Sequence, residues 1–139
     1  MRYLGLDLGT KTLGLAISDS LGTIAASYKI LHHQEDYDGL ILQLEPIVKE
    51  KNIQAFVLGF PKNMNNSVGE RGEIALKFKE KLENEFHLPV YMEDERLTTR
   101  QAESLLISNN TSRKKRKKVI DCVAATIILQ SFLDRRERK

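Results

Sequence analysis

The first 31 residues of this 139-residue chain hold three β-type apolar runs parted only by turn-forming residues, and that pattern points to an antiparallel meander. Tyr3-Leu4-Gly5-Leu6-Asp7-Leu8 stops at Gly9-Thr10-Lys11-Thr12, and Leu13-Gly14-Leu15-Ala16-Ile17-Ser18 resumes it as the second arm of a hairpin. Asp19-Ser20-Leu21-Gly22 is again turn chemistry, and Thr23 to Leu31 supplies a third strand. The period then changes. Leu40, Ile41, Leu44, Ile47 and Val48 recur at spacings of three and four, which predicts a helix that Pro46 should kink or split near Gln43. Ala55 to Gly59 reads as strand four, and Lys62 to Ser67, polar and aperiodic, as a surface loop. Ala75, Phe78, Leu82 and Phe86 mark a helix from Gly69 to Glu85, and Leu88 to Met92 gives strand five. Thr98 with Gln101 forms a capping box for a helix that Asn109-Asn110-Thr111 ends. Val119 to Leu133 is a last helix, apolar on nearly all sides and therefore expected to be buried. The order predicts one α/β domain over 1–139. Its sheet should be mixed and five-stranded, three antiparallel strands followed by helix-connected parallel ones, with helices on both faces.

Composition excludes several classes. With 41% hydrophobic and 29% charged residues the chain can bury one core and solvate its outside. A single cysteine, Cys122, cannot form an internal disulfide, and no export signal opens the chain, so a cytoplasmic location is expected. The stretch Val119 to Leu133 falls short of the roughly 20 apolar residues of a membrane span. Net charge is only +3, yet residues 1–112 hold 12 Lys/Arg against 16 Asp/Glu while 113–139 hold 10 against 3. The densest part is Arg113, Lys114, Lys115, Arg116, Lys117 and Lys118, six consecutive cations expected to stay extended unless a polyanion neutralises them. Nucleic acid is the natural polyanion; a solvated loop is the plainer reading.

Four acids sit where packing alone does not put them. Asp7 interrupts an apolar strand just before a Gly turn, a position suited to a turn cap or to a cation ligand. Asp94 and Glu95, within Glu93-Asp94-Glu95-Arg96, follow the predicted strand five, and the carboxyl ends of parallel strands are where sheet sites open. A solvated acid pair with Arg96 as counter-ion is the alternative. Asp121 is expected in the first turn of the last helix, where the macrodipole alone favours a carboxylate. If the three elements converge, two such charges about 5 Å apart repel by roughly 3 kcal/mol at an effective dielectric of 20. A divalent cation removes that conflict. Mg²⁺ and Mn²⁺ prefer carboxylates and waters, and two such ions can align a water nucleophile and stabilise the leaving oxygen of a phosphodiester.

The ordered series Asp7-Leu8-Gly9-Thr10-Lys11-Thr12-Leu13-Gly14-Leu15-Ala16-Ile17-Ser18-Asp19, Gly59-Phe60-Pro61, Asp94-Glu95-Arg96-Leu97-Thr98-Thr99 and Asp121 before Ala124-Ala125 resembles the YqgF (RuvX) family. The resemblance covers nearly the whole chain. It implies an RNase H-like fold and a nuclease that trims the 5′ end of the 16S ribosomal RNA precursor, with a likeness to Holliday junction resolvases. Carried over by motif, Asp7 and Asp121 are metal ligands, and the motif offers both Asp94 and Glu95 as the third. Glu95 is preferred because its longer arm reaches further from a strand end. The catalytic set is thus Asp7, Glu95 and Asp121, with Mg²⁺ or Mn²⁺ as cofactor. The sequence departs from the common family pattern at Thr12, where an Arg often follows the Lys, and at Asn66-Ser67, where a Gly is frequent. Both departures bear on substrate grip rather than on the acids.

Lys11 at the first turn and Arg96 beside the acids are candidates to meet phosphates, although each also has a plain role as a solvated or charge-balancing side chain. Arg71 at a helix start opposes the dipole there, which hints at a partner anion. His32 and His33 follow a strand with no cysteine or second histidine pair nearby, and a solvated loop is expected for both. No base-stacking platform stands out among the aromatics. The expected partners are structured RNA, with branched DNA as the alternative, and a ribosomal precursor particle, the protein being a monomer or weak homodimer. Asp7-Leu8-Gly9-Thr10 also resembles the phosphate loop of sugar-kinase-like and chaperone-like ATPases. Those bind nucleotide between two lobes, and this chain supplies one. A non-catalytic RNA-binding factor is the remaining alternative.

Overall fold

The computed structural model describes residues 2–60, 69–94 and 113–137, without the side chains of residues 94, 113–123 and 137. The meander is present: β1 (Tyr3–Leu8), β2 (Thr12–Ser18) and β3 (Ala25–His32) pair antiparallel. Helix α1 (Tyr37–Glu50) leads to β4 (Ala55–Phe60), and α2 (Glu70–Phe86) leads to β5 (Val90–Asp94). β4 lies parallel to β1, and β5 lies parallel to β4. The sheet order is β3-β2-β1-β4-β5, followed in the chain by the last helix, α3 (Arg113–Glu137).

Strand alternation sorts the side chains into two cores. Leu4, Leu6 and Leu8 of β1, with Leu13, Leu15, Phe56 and Leu58, pack beneath Leu40, Leu44, Phe78 and Leu82 of α1 and α2. Tyr3, Ala16, Ala55 and Val57 point the other way and meet Ala125, Ile128, Leu129, Phe132 and Leu133 of α3. Because β1 and β4 are covered on both sides, their sequences are nearly continuous apolar runs rather than alternating ones. The fold expected from the order of elements is therefore the fold observed, with helices on both faces.

Several local expectations change. Helix α1 runs unbroken through Pro46. Pro46 and Leu42, whose carbonyl loses its intrahelical donor, are both exposed, so that carbonyl is at the solvent side and water can satisfy it. β5 begins and ends two residues later than predicted, which brings Glu93 and Asp94 inside the strand, paired with Gly59 and Phe60. The six-cation run is not extended: it forms the first turns of α3. Lys and Arg are good helix formers, and each like-charge pair along a helix costs only about 0.2–0.5 kcal/mol, too little to stop propagation from the buried segment. Asp121 consequently lies in the third turn of α3, not the first.

Over residues 124–136, helix α3 is buried along one stripe rather than all round, with Ser131 and Asp134 exposed. Its polar residues bind the edge of the meander. Gln130 accepts from the Ala25 N–H at 2.8 Å and donates to the Thr23 carbonyl at 3.0 Å, and the Thr126 and Ser27 hydroxyls lie 2.7 Å apart. The capping-box helix after Thr98 and the loop Lys62 to Ser67 lie outside the described residues.

Helix and sheet come close together at Gly5. A Cβ there would stand 2.8 Å from Leu129 Cβ and 3.1 Å from the Ala125 carbonyl oxygen. Neither neighbour is the free end of a side chain. Gly5→Ala is therefore expected to cost about 1–3 kcal/mol, read as a lower urea midpoint with an unchanged slope. A shift below about 0.5 kcal/mol would mean that α3 can lift off without penalty.

The β2–β3 turn is organised by one carboxylate. Asp19 Oδ1 accepts from the Thr23 and Ile24 N–H groups at 2.7 and 3.1 Å, and Oδ2 accepts from the Thr23 hydroxyl at 2.9 Å. The Thr23 N–H, then the Ile24 N–H, hold its pKa below the ordinary 3.8. A depressed folded-state value stabilises above the unfolded value and is lost as pH falls through the folded one. The stability advantage of the native protein over Asp19→Asn should thus be full at neutral pH and fade below pH 3.8. Urea midpoints of both proteins along a pH series read it directly, and a pH-independent difference would contradict it.

Candidate active site

Asp7 lies near the carboxyl end of β1, the central strand. It shares the strand face of Tyr3 and Gly5, which is the face that α3 covers. Its register partner on β2 is Gly14, which has no side chain to fill the space beside it. Asp7 is partly buried.

α3 runs across this face in a fixed direction. The Phe132 ring meets Tyr3 edge-on at 5.7 Å between centroids, and Leu129 and Ala125 close on Gly5 two residues further along β1. Helix residues thus decrease in number as β1 residues increase. Asp121, eight residues after Arg113, is beyond the first turn, where the macrodipole acts, so capping no longer accounts for an acid at that position.

The acids of β5 separate into different roles. Glu93 is 4% exposed, and its two oxygens lie 2.9 and 2.8 Å from NH1 and NH2 of Arg135. It is a structural acid that locks the last turn of α3 to β5, with a counter-ion that its neighbours in sequence do not reveal. Asp94 ends the strand, in register with Phe60 of β4. Glu95 and Arg96 lie outside the described residues. Among the described residues no group of three or more His, Cys, Asp or Glu side chains is gathered as for a metal ion; Glu95 and the side chains of Asp94 and Asp121 are not among them.

The β1–β2 turn carries Lys11 at its exposed tip, as predicted. The turn is braced from the α1–α2 side. Arg71, in the first turn of α2, donates from NH2 to the Leu8 carbonyl at 2.8 Å, which directs at least part of the guanidinium to the protein itself. His33 is not the solvated residue expected: it is 7% exposed, with Nε2 3.1 Å from the Gly9 carbonyl oxygen. Sequence alone offered one hint, an aromatic four residues on, since the Tyr37 ring packs 5.4 Å from the imidazole. His32, by contrast, is exposed as expected, although it closes β3 opposite Thr12 rather than lying in a loop.

The basic run Arg113 to Lys118 occupies the amino-terminal end of the helix that carries Asp121, with no acid in the first turn. Six cations against the positive end of a helix dipole are placed at a cost that an external anion would relieve.

Comparison with known proteins agrees over almost the whole length. The RuvX family model, described as Holliday junction resolvase, matches residues 1–135. A protein of Geobacillus sp. (strain WCH70), named provisionally as a pre-16S rRNA nuclease, is 51% identical over 138 residues, covering 99% of this chain and all of that one. One of Bacillus subtilis (strain 168) with the same provisional name is 51% identical over 137 residues, covering 96% of this chain and 98% of that one. Among solved structures, Thermus thermophilus RuvC in complex with Holliday junction substrate superposes with a TM-score of 0.58 at 16% identity, covering 98% of this chain and 96% of that one. The fowlpox virus resolvase in complex with Holliday junction DNA gives 0.63 at 15% identity over 98% and 99%. Identities this low show the fold, and it is RNase H-like.

Proposed function

The chain belongs to the RuvX family, and from that membership we propose that it hydrolyses phosphodiester bonds at the 5′ end of the 16S ribosomal RNA precursor, using Asp7, Glu95 and Asp121. The observation that carries this reading is the track of α3 over β1. Tyr3 meets Phe132, and Gly5 meets Leu129 and Ala125. Two residues further along the strand, about 6.6 Å, is Asp7, and four residues back along the helix, about 6 Å, is position 121. The two steps are nearly equal and run the same way, which supports Asp7 and Asp121 as partners in one site.

Strand parity counts against Asp94 as the third acid, which leaves Glu95 in the proposal. Position 94 has the strand parity of Val90 and Met92, which pack in the α1–α2 core, whereas Asp7 lies on the α3 side. The donor set is then three carboxylates on three elements, hard oxygen ligands that fit Mg²⁺ or Mn²⁺ and not a soft or nitrogen-seeking metal. A pair of such ions, when bound, supplies charge compensation at the acids and at the phosphate and lowers the cost of water attack and of the departing oxygen. The residues of the chain bring the rest. Lys11 and Arg96 take phosphate oxygens, Arg71 holds the carbonyl that precedes the turn, and Arg113, Lys114, Lys115, Arg116, Lys117 and Lys118 engage the RNA backbone. A ribosomal precursor particle presenting that RNA is the partner this reading requires, met in the cytoplasm by a monomer or weak homodimer. Among the described residues no helix is long and apolar enough to cross a membrane. Branched DNA is the second reading, favoured by the description of the family as Holliday junction resolvase.

Asp7→Asn is expected to lower cleavage of a 16S precursor RNA at least about 100-fold while the dissociation constant for that RNA changes less than about threefold. The same variant should match or slightly exceed the native protein in metal-free melting temperature, since a repelling charge is gone. Unchanged cleavage would reject the enzyme reading, and a large fall in metal-free stability would restore the turn-cap role of Asp7.

Binding should weaken with salt, and replacing Lys114, Lys115, Lys117 and Lys118 by Gln should make the slope of log K against log salt shallower by about 0.7–0.9 for each phosphate that is no longer neutralised. Equal slopes for the native and substituted proteins would reduce the run to a solvated helix end.

A further inference from the structure

We propose that His33 is a positioning residue for substrate binding: its neutral imidazole holds the Gly9 carbonyl and thereby sets the β1–β2 turn so that Lys11 meets a backbone phosphate of the nucleic acid. The inference rests on the reading of Lys11 as a phosphate contact given above. Its geometry is independent of that reading. His33 continues the β2–β3 ladder one residue past β3, its N–H donating to the Lys11 carbonyl at 2.9 Å. The ring turns inward, 7% exposed, against Tyr37, which in turn packs on Phe78 of the core.

Both ring nitrogens are committed. The Glu35 N–H lies 3.1 Å from Nδ1 and can only donate, so Nδ1 carries no proton and Nε2 does. Nε2–H then donates to the Gly9 carbonyl oxygen at 3.1 Å. One tautomer satisfies both contacts. Glu35 adopts a left-handed φ of 64°, a conformation a non-glycine residue holds only where its surroundings fix it, and the bond to Nδ1 is one such restraint. With Arg71 on the Leu8 carbonyl and Gly9 N–H on the Thr12 carbonyl at 2.8 Å, the backbone on both sides of the turn is tied down while the Lys11 side chain stays exposed. An exposed turn could take water on these carbonyls. Giving a buried imidazole to the Gly9 carbonyl fixes where the tip stands, just past Asp7 in the chain.

The test is a double-mutant cycle on the full chain, reading the dissociation constant for a fluorescent RNA hairpin that carries the 16S leader junction, and cleavage of the same RNA. His33→Leu and Lys11→Gln should each weaken binding about fivefold, the double variant should be no weaker than either, and His33→Gln, which keeps an N–H donor, should regain part of the loss. Cleavage at subsaturating RNA should fall in step with the loss of binding in each variant. Losses that multiply in the double variant overturn the coupling while leaving Lys11 a phosphate contact. No loss for Lys11→Gln alone overturns the proposal together with the assignment of Lys11. Ring ¹⁵N shifts of the metal-free native protein give a check that needs neither folding of a variant nor activity: a protonated Nε2 with a bare Nδ1 supports the proposal, and the opposite tautomer overturns it.

Discussion

The contact on which the molecule depends is the seating of α3 on β1 at Gly5. A glycine in a central strand is poor for the strand itself, yet here it removes the one methyl that would hold the helix off the sheet. Around it the pairs Tyr3 with Phe132 and Ala125 with Gly5 fix the depth and direction of the helix. The Glu93–Arg135 pair then fixes its carboxyl-terminal end against the edge strand β5. A helix held at two places along its length is restrained in rotation, and position 121 lies one turn before its core contacts. The proposed site inherits its precision from apolar packing on one side of the sheet.

The opposite layer serves the turn. α1 and α2 pack on the other face of β1, and from that face Arg71 and His33 reach the carbonyls of Leu8 and Gly9. Asp7 therefore stands between two constraints of different kinds: packing sets what faces it from α3, and hydrogen bonds set the turn that follows it. The buried imidazole and the guanidinium are polar groups in places that an apolar side chain would fill at less cost in desolvation, and each is satisfied by a backbone carbonyl of the same turn.

Much of this could be read from the residues. The three short runs before Gln34 announced a meander because nothing between them is long enough to cross the sheet, and the switch to three- and four-residue spacing after Tyr37 announced the first crossover. Asp7 stood out because a carboxylate has no place in a strand buried on both faces unless it has work there. What failed to show were the effects that depend on distance through space. Glu93 is indistinguishable from its neighbours in Glu93-Asp94-Glu95 until Arg135, 42 residues away, is seen to pair with it. Pro46 breaks a helix in principle, but whether the freed carbonyl meets water or the core is a property of the packed molecule. The reach of α3 back to Arg113 was hidden because charge repulsion, which argues for an extended run, is weaker per residue than the propagation of a helix whose later turns are anchored.

That last point bears on how substrate and scaffold are joined. The helix that carries Asp121 begins with six cations at its positive pole, so its first turns are the least favourably placed part of an otherwise well-anchored element. Residues 1–112 carry a net −4 and the remainder +7, so a polyanion drawn to the basic end is repelled by much of the rest and can lie only along a restricted path. On the proposed reading that path runs from the start of α3 toward the acids, and phosphates along it would both neutralise the cations and complete the amino-terminal end of the helix. Binding energy gained at the basic turns would then tighten the element that holds a proposed catalytic acid, so that grip and chemistry would be coupled through one helix.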